Sequence, residues 1–202
     1  MGPAKPGGTR RIAAVVLAAG ASTRLGQAKQ LVRVESESLL HRTVRMALEA
    51  GCAPAVVVLG FEAERMRAEL EGLDAVVAVH PGWAEGMGSS LRCGVEAVCR
   101  MEPVPDEVLV LVCDQPRLTA EHLRALLERQ GESGAQITAS AYASRIGVPA
   151  VFARELFGEL LRLEGDQGAR NLIRNHASEA EGIPWPEGTV DLDIPEDLRG
   201  VD

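Results

Sequence analysis

An α/β domain with helices on both faces of a mainly parallel sheet is what this sequence predicts, on three observations. Apolar runs without polar alternation, Ile12 to Leu17 and Val108 to Val112, read as strands buried on both faces. Strand-like and helix-like segments alternate through the first half, a βαβ rhythm that implies right-handed crossovers between parallel strands. The 202 residues are 46% hydrophobic but 3% aromatic, so a single domain with a core of Ala, Val and Leu is expected.

Taken in order, strands are expected near residues 12–18, 55–59, 75–79, 107–113, 136–141 and 148–153. Helices are expected near 38–50, 61–72, 88–101, 119–130, 154–163 and 167–175. Met1 to Thr9 holds two prolines and three glycines, so residues 1–10 read as a disordered tail and 11–202 as one domain. A net charge of -8 and a pI near 5.1 argue against nucleic acid or an anionic membrane surface as the main partner. No apolar run reaches the ~18 residues of a membrane span, and the N-terminus lacks a signal-peptide core, so a cytoplasmic location is expected. Cys52, Cys93, Cys99 and Cys113 form no zinc spacing and read as small apolar residues in a reducing compartment. His41, His122 and His176 read as surface or satisfied histidines.

The chemistry concentrates in Leu17-Ala18-Ala19-Gly20-Ala21-Ser22-Thr23-Arg24, which runs on to Lys29. Ligands of parallel sheets bind beyond the carboxyl ends of the strands, where this loop begins. Ala18, Ala19 and Gly20 carry almost no side chain, so a polyphosphate can approach the backbone N–H groups. Ser22 and Thr23 add hydroxyls, and Arg24 and Lys29 add positive charge. Lys29 is one of two lysines in the chain, the other being Lys5 in the tail, so it is unlike a generic surface cation. Gly20 and Gly26 lie six apart with Lys29 three further on, which fits neither G-x-G-x-x-G nor G-x-x-x-x-G-K-[ST]. A second cluster ends the apolar run at Asp114, where Gln115-Pro116 stops the strand at the carboxyl edge of the sheet. A carboxylate there suits Mg²⁺, which takes one or two protein carboxylates plus substrate phosphates. Asp191 and Asp193 alternate onto one face, and either could be a second ligand. Gly86-Met87-Gly88-Ser89-Ser90 precedes an apolar helical run, with Ser89 or Ser90 placed to cap it.

The run Leu17-Ala-Ala-Gly-x-Ser-x-Arg-x-Gly-x-x-Lys29 resembles the signature of nucleotidyltransferases similar to molybdenum cofactor cytidylyltransferase. Trp83-Ala-Glu-Gly-Met-Gly-Ser-Ser-Leu91, Asp114-Gln-Pro116, Gly147-x-Pro149, Gly165-Asp-Gln-Gly-Ala-Arg170 and Asp191-Leu-Asp-Ile-Pro-Glu-Asp-Leu198 follow in the family's order, from about residue 12 to 198. The resemblance implies a three-layer, Rossmann-like fold of the nucleotide-diphospho-sugar transferase type. It implies that Leu17, Ala18, Ala19, Gly20, Ser22, Lys29, Gly86, Ser89 and Ser90 hold the nucleotide and that Lys29, Arg24 and Asp114 are catalytic. It also implies that Asp114 and Asp193 hold Mg²⁺ and that Asp166 and Arg170 face the acceptor. The Leu-Ala-Ala-Gly form favours CTP, because guanylyl-transferring relatives carry glycine in place of Ala19. The implied acceptor is molybdopterin, and the implied protein partner is a molybdoenzyme or its maturation chaperone. His80 stands where an asparagine is expected, and Val148 where a histidine often precedes the proline. The alternatives are a guanylyltransferase, a cytidylyltransferase for a sugar or polyol phosphate, and a non-catalytic cofactor-binding maturation module.

Overall fold

In the computed structural model, which describes residues 10–192 and Asp197, the expected strands and helices form three layers. The strands are β1 (Ile12–Ala18), β2 (Arg33–Val34), β3 (Glu37–Ser38), β4 (Ala55–Leu59), β5 (Ala75–Val79), β6 (Glu107–Val112), β7 (Ile137–Tyr142), β8 (Arg145–Ala153) and β9 (Ala180–Pro184). The helices are α1 (Leu39–Glu49), α2 (Ala63–Ala68), α3 (Met87–Cys99), α4 (Ala120–Ser133), α5 (Phe157–Leu160) and α6 (Ala169–Asn175). Most of residues 1–10, expected as a tail, lie outside the described residues, as does Asp193. Arg10 is described, and its guanidinium donates to Glu107 and to the Leu127 carbonyl.

The main sheet runs β5-β4-β1-β6-β8-β7-β9. All neighbours are parallel except β8, which is antiparallel to both β6 and β7. The mixed, mainly parallel sheet therefore matches the expectation, with the reversal confined to a hairpin that the sequence leaves unmarked. Ala14, Val16 and Ala18 of β1 enter one core with Leu40 and Val44 of α1 and Leu123 and Leu126 of α4. Ala13 and Val15 enter the other, with Leu91 and Val95 of α3 and Leu172 of α6. Period-2 side-chain alternation thus gives β1 a separate core on each face.

Two details position the site. Gly94 lets α3 lie flush on the sheet, since a Cβ there would stand 2.5 Å from a Val15 methyl and 2.9 Å from a Val58 methyl. Chain order reverses at β1, whose partners β4 and β6 lie on opposite sides, so the loops after β1 and β6 flank one crevice at the carboxyl edge.

Candidate active site

The loop after β1 leaves the sheet at Ala19, turns through Ser22 at φ 51°, and ends in a single turn of 3-10 helix over Lys29–Leu31. Leu17, Ala19, Gly20, Ser22, Arg24 and Lys29 line a cavity of about 420 Å³, closed on its far side by Trp83, Gly86, Met87 and Ser90. Ala18 is 1% exposed and is not among the residues lining it. Lys29 reaches across the crevice, and its Nζ donates to Asp114 Oδ2 at 2.6 Å, with both side chains about one-fifth exposed. The loop lysine and the strand-end carboxylate are therefore one ion pair, which their distance of 85 residues in the chain conceals.

The Gly86 to Ser90 segment is arranged differently from the expectation. Neither serine caps α3; Gly86 does, at φ 125°, and the helix starts at Met87. A side chain at Gly86 would stand 2.4 Å from the Gly165 carbonyl oxygen, and that oxygen accepts from Gly88 N–H at 2.8 Å. The glycines thus dock this segment backbone to backbone on the 165–168 loop. Ser90 lines the cavity, whereas Ser89 is 1% exposed, donates to the Gly86 carbonyl and lies 2.9 Å from His80 Nε2. Because the Ser89 hydroxyl proton is used on Gly86, His80 Nε2 carries the hydrogen in that contact.

A second cavity of about 500 Å³ adjoins the first, and Leu17, Met87, Val112, Asp114 and Asp166 line both. Its walls include Arg170 and Asn171, together with Tyr142, Arg145, Arg174 and Asp191. Asp166 and Arg170 thus come together, with Asp166 on the border between cavities. Arg145 and Arg174 were not singled out from the sequence, although the four-residue spacing of Arg170 and Arg174 puts them on one helix face. Arg145 stacks over the Tyr142 ring at 5.3 Å. Burial, then the charge of Asp191, pushes the Tyr142 phenol up, while Arg145 pulls it down.

The donors fit a hard cation. Asp114 offers carboxylate oxygens, and Leu192 N–H donates to the Asp114 carbonyl at 2.9 Å. Among the described residues no group of three or more His, Cys, Asp or Glu side chains converges. The cysteines form no disulfide; burial pushes the Cys52 and Cys113 thiols up to about 12, and Cys93 and Cys99 are half-buried. Among the described residues no helix is long and apolar enough to cross a membrane.

A loop of small residues carrying Lys29 thus faces an arginine-lined cavity across the strand-end carboxylate of Asp114. The chain belongs to the MobA-like NTP transferase domain family, which matches it over residues 14–180. It is 32% identical over 193 residues to nicotine blue oxidoreductase of Paenarthrobacter nicotinovorans, covering 89% of this chain and 86% of that protein. It is 29% identical over 190 residues to the purine catabolism protein PucB of Bacillus subtilis, covering 89% and 88%. Among solved structures, Rv0371c from Mycobacterium tuberculosis superposes with a TM-score of 0.78 at 31% identity, over 96% of this chain and 98% of that one. A manganese complex of that mycobacterial protein superposes with a TM-score of 0.74 at 29% identity, over the same shares of the two chains.

Proposed function

We propose that this chain transfers CMP from CTP to a phosphate of an acceptor, molybdopterin in first place, releasing pyrophosphate with Mg²⁺ held by Asp114 and Asp193. The observation that carries the reading is the meeting of the two cavities at Asp114, 2.6 Å from the Lys29 ammonium. The triphosphate lies along the Ala19 to Ser22 backbone in the first cavity. The acceptor phosphate lies in the second, where Arg145, Arg170 and Arg174 supply charge and Asp166 marks the border. An acceptor oxygen then faces the α-phosphorus with pyrophosphate departing on the opposite side. Mg²⁺ supplies charge neutralisation on the phosphates. The protein contributes positioning and fixed charge: Lys29 and Arg24 offset the charge that gathers on the leaving pyrophosphate. The manganese bound to the mycobacterial relative supports a divalent metal in this role.

CTP is favoured over GTP by the Leu-Ala-Ala-Gly form of the loop, in which Ala19 lines the first cavity where guanylyl-transferring relatives carry glycine. The test is pyrophosphate release with each of four nucleoside triphosphates, with and without molybdopterin, and with a sugar phosphate as the competing acceptor. Release with CTP and molybdopterin together supports the reading; release only with GTP, only with the sugar phosphate, or with no pair at all refutes it. The name of the Paenarthrobacter relative points to redox chemistry, so NADH and NADPH oxidation is followed in parallel, and turnover there without nucleotide transfer also counts against the reading.

A further inference from the structure

The buried side chain next to the catalytic lysine has no role in the chemistry above, yet it holds the nucleotide loop in shape. Gln30 is 3% exposed, and its amide nitrogen donates to two carbonyls of the loop, Ala18 at 3.1 Å and Gly20 at 2.8 Å. The carbonyl between them, on Ala19, accepts from Phe61 N–H at 3.0 Å. Three consecutive carbonyls are thus turned into the protein and bound there. A trans peptide is planar, so each N–H points opposite to the carbonyl of the same unit. The N–H groups of Ala19 and Ala21 therefore face away from Gln30, and that of Gly20 away from Phe61, in a stretch whose Ala19 and Gly20 line the first cavity. The amide is oriented in turn: Ser22 Oγ accepts from Lys29 N–H at 3.2 Å and donates to Gln30 Oε1 at 3.4 Å.

We propose that Gln30 is a positioning residue that fixes two peptide planes of the loop, with Phe61 N–H holding the plane between them, so that the loop N–H groups form a ready-made polyphosphate seat. One side chain stitches residues 29–30 to residues 18–22, so the seat and the Lys29 ammonium are set by the same anchor. Buried carbonyls left without donors turn toward other partners, which rotates the attached N–H groups away. The inference rests on the reading that a nucleoside triphosphate occupies this cavity.

The test follows backbone amide signals by NMR as CTP or GTP is added with Mg²⁺ to the wild type, to Gln30→Met and to Gln30→Asn. In the wild type the signals of Ala19, Gly20 and Ala21 should move on binding. Gln30→Met keeps the volume without donors, and its spectrum outside the loop should match the wild type. Its nucleotide Kd should rise about tenfold, the scale of one well-placed hydrogen bond, with the KM of the acceptor changed by less than about twofold. Gln30→Asn reaches one carbonyl only and should fall between. Wild-type Kd and loop shifts in both variants would overturn the role of Gln30 while leaving the nucleotide site standing. If neither nucleotide moves the loop signals of the wild type, the site reading itself is lost, and this inference with it.

Discussion

Replacing Gly86 with alanine should separate the two cavities' walls, and its cost can be worked from the structure. Gly86 sits at φ 125°, ψ 177°, a region open in practice to glycine alone, where another residue costs about 1–3 kcal/mol. The new Cβ would stand 2.4 Å from the Gly165 carbonyl oxygen and 2.7 Å from Asp166 Oδ1. Backbone cannot swing aside as a side chain can, so the 165–168 loop must lift and the Gly88 to Gly165 hydrogen bond is strained or lost, about 1 kcal/mol more. The sum is about 2–4 kcal/mol, which for a chain of this length lowers Tm by roughly 5–15 °C. Asp166 borders both cavities, so pyrophosphate release measured well below Tm should also fall, through loss of fit between donor and acceptor. The assay pairs a thermal melt with steady-state kinetics on both substrates. A Gly86→Ala protein melting within about 2 °C of wild type at full activity would refute the docking argument.

Further outcomes are expected at the site and in the core. Lys29→Ala and Asp114→Ala should each lower kcat by about 10²–10³, the cost of one preorganised charge contact, while the melting curve moves little because the pair is partly exposed. Lys29→Arg should be severely impaired despite keeping its charge, since a planar guanidinium cannot replace a compact ammonium 2.6 Å from Asp114 without moving the loop. Ala19→Gly should raise GTP use relative to CTP by about 1–3 kcal/mol in kcat/KM under direct competition, a shift and not a reversal; an unchanged ratio removes the basis for CTP. Burial holds His122 at about 4 against its ordinary 6.5, opposed by Glu187, and its Nε2 lies 2.7 Å from Ser140 Oγ. The unfolded chain therefore takes up that proton first as pH falls: stability from this group is full above pH 6.5 and is lost as pH drops through about 4. The loss is about 3 kcal/mol at 1.36 kcal/mol per pKa unit, and urea melts of wild type and His122→Asn at pH 7 and 4.5 should show a flatter dependence in the variant.

The sequence was most informative where one cause sets one structure. β1 and β4 are fully apolar, and β6 is apolar after its first residue Glu107, because both their faces are covered, and that pattern survives without knowledge of neighbours. β9 was missed because Ala-Glu-Gly-Ile-Pro at a half-exposed edge has no burial to advertise. The start of α3 was placed late because a serine before an apolar run suggests a cap, whereas here a glycine at positive φ docks on a loop far along the chain. Lys29, Asp114, Asp166 and Arg170 were readable as chemical types, and the structure brings them around two adjoining cavities. Arg145 and Tyr142 reach the second cavity only through the reversed β8 hairpin, and no local pattern encodes that reversal. Gln30 was hidden for the same reason, since its partners are carbonyls and carbonyls leave no trace in a sequence.

The central claim is that the α-phosphorus moves to the acceptor, and isotope position tests it most directly. The enzyme is supplied with Mg²⁺, molybdopterin and CTP labelled either at the α- or at the γ-phosphorus, and the acceptor is separated after turnover. Label from the α position should appear in the acceptor, and label from the γ position in pyrophosphate alone. Label in the acceptor from γ-labelled CTP, or none from α-labelled CTP while pyrophosphate accumulates, would contradict nucleotidyl transfer at this site.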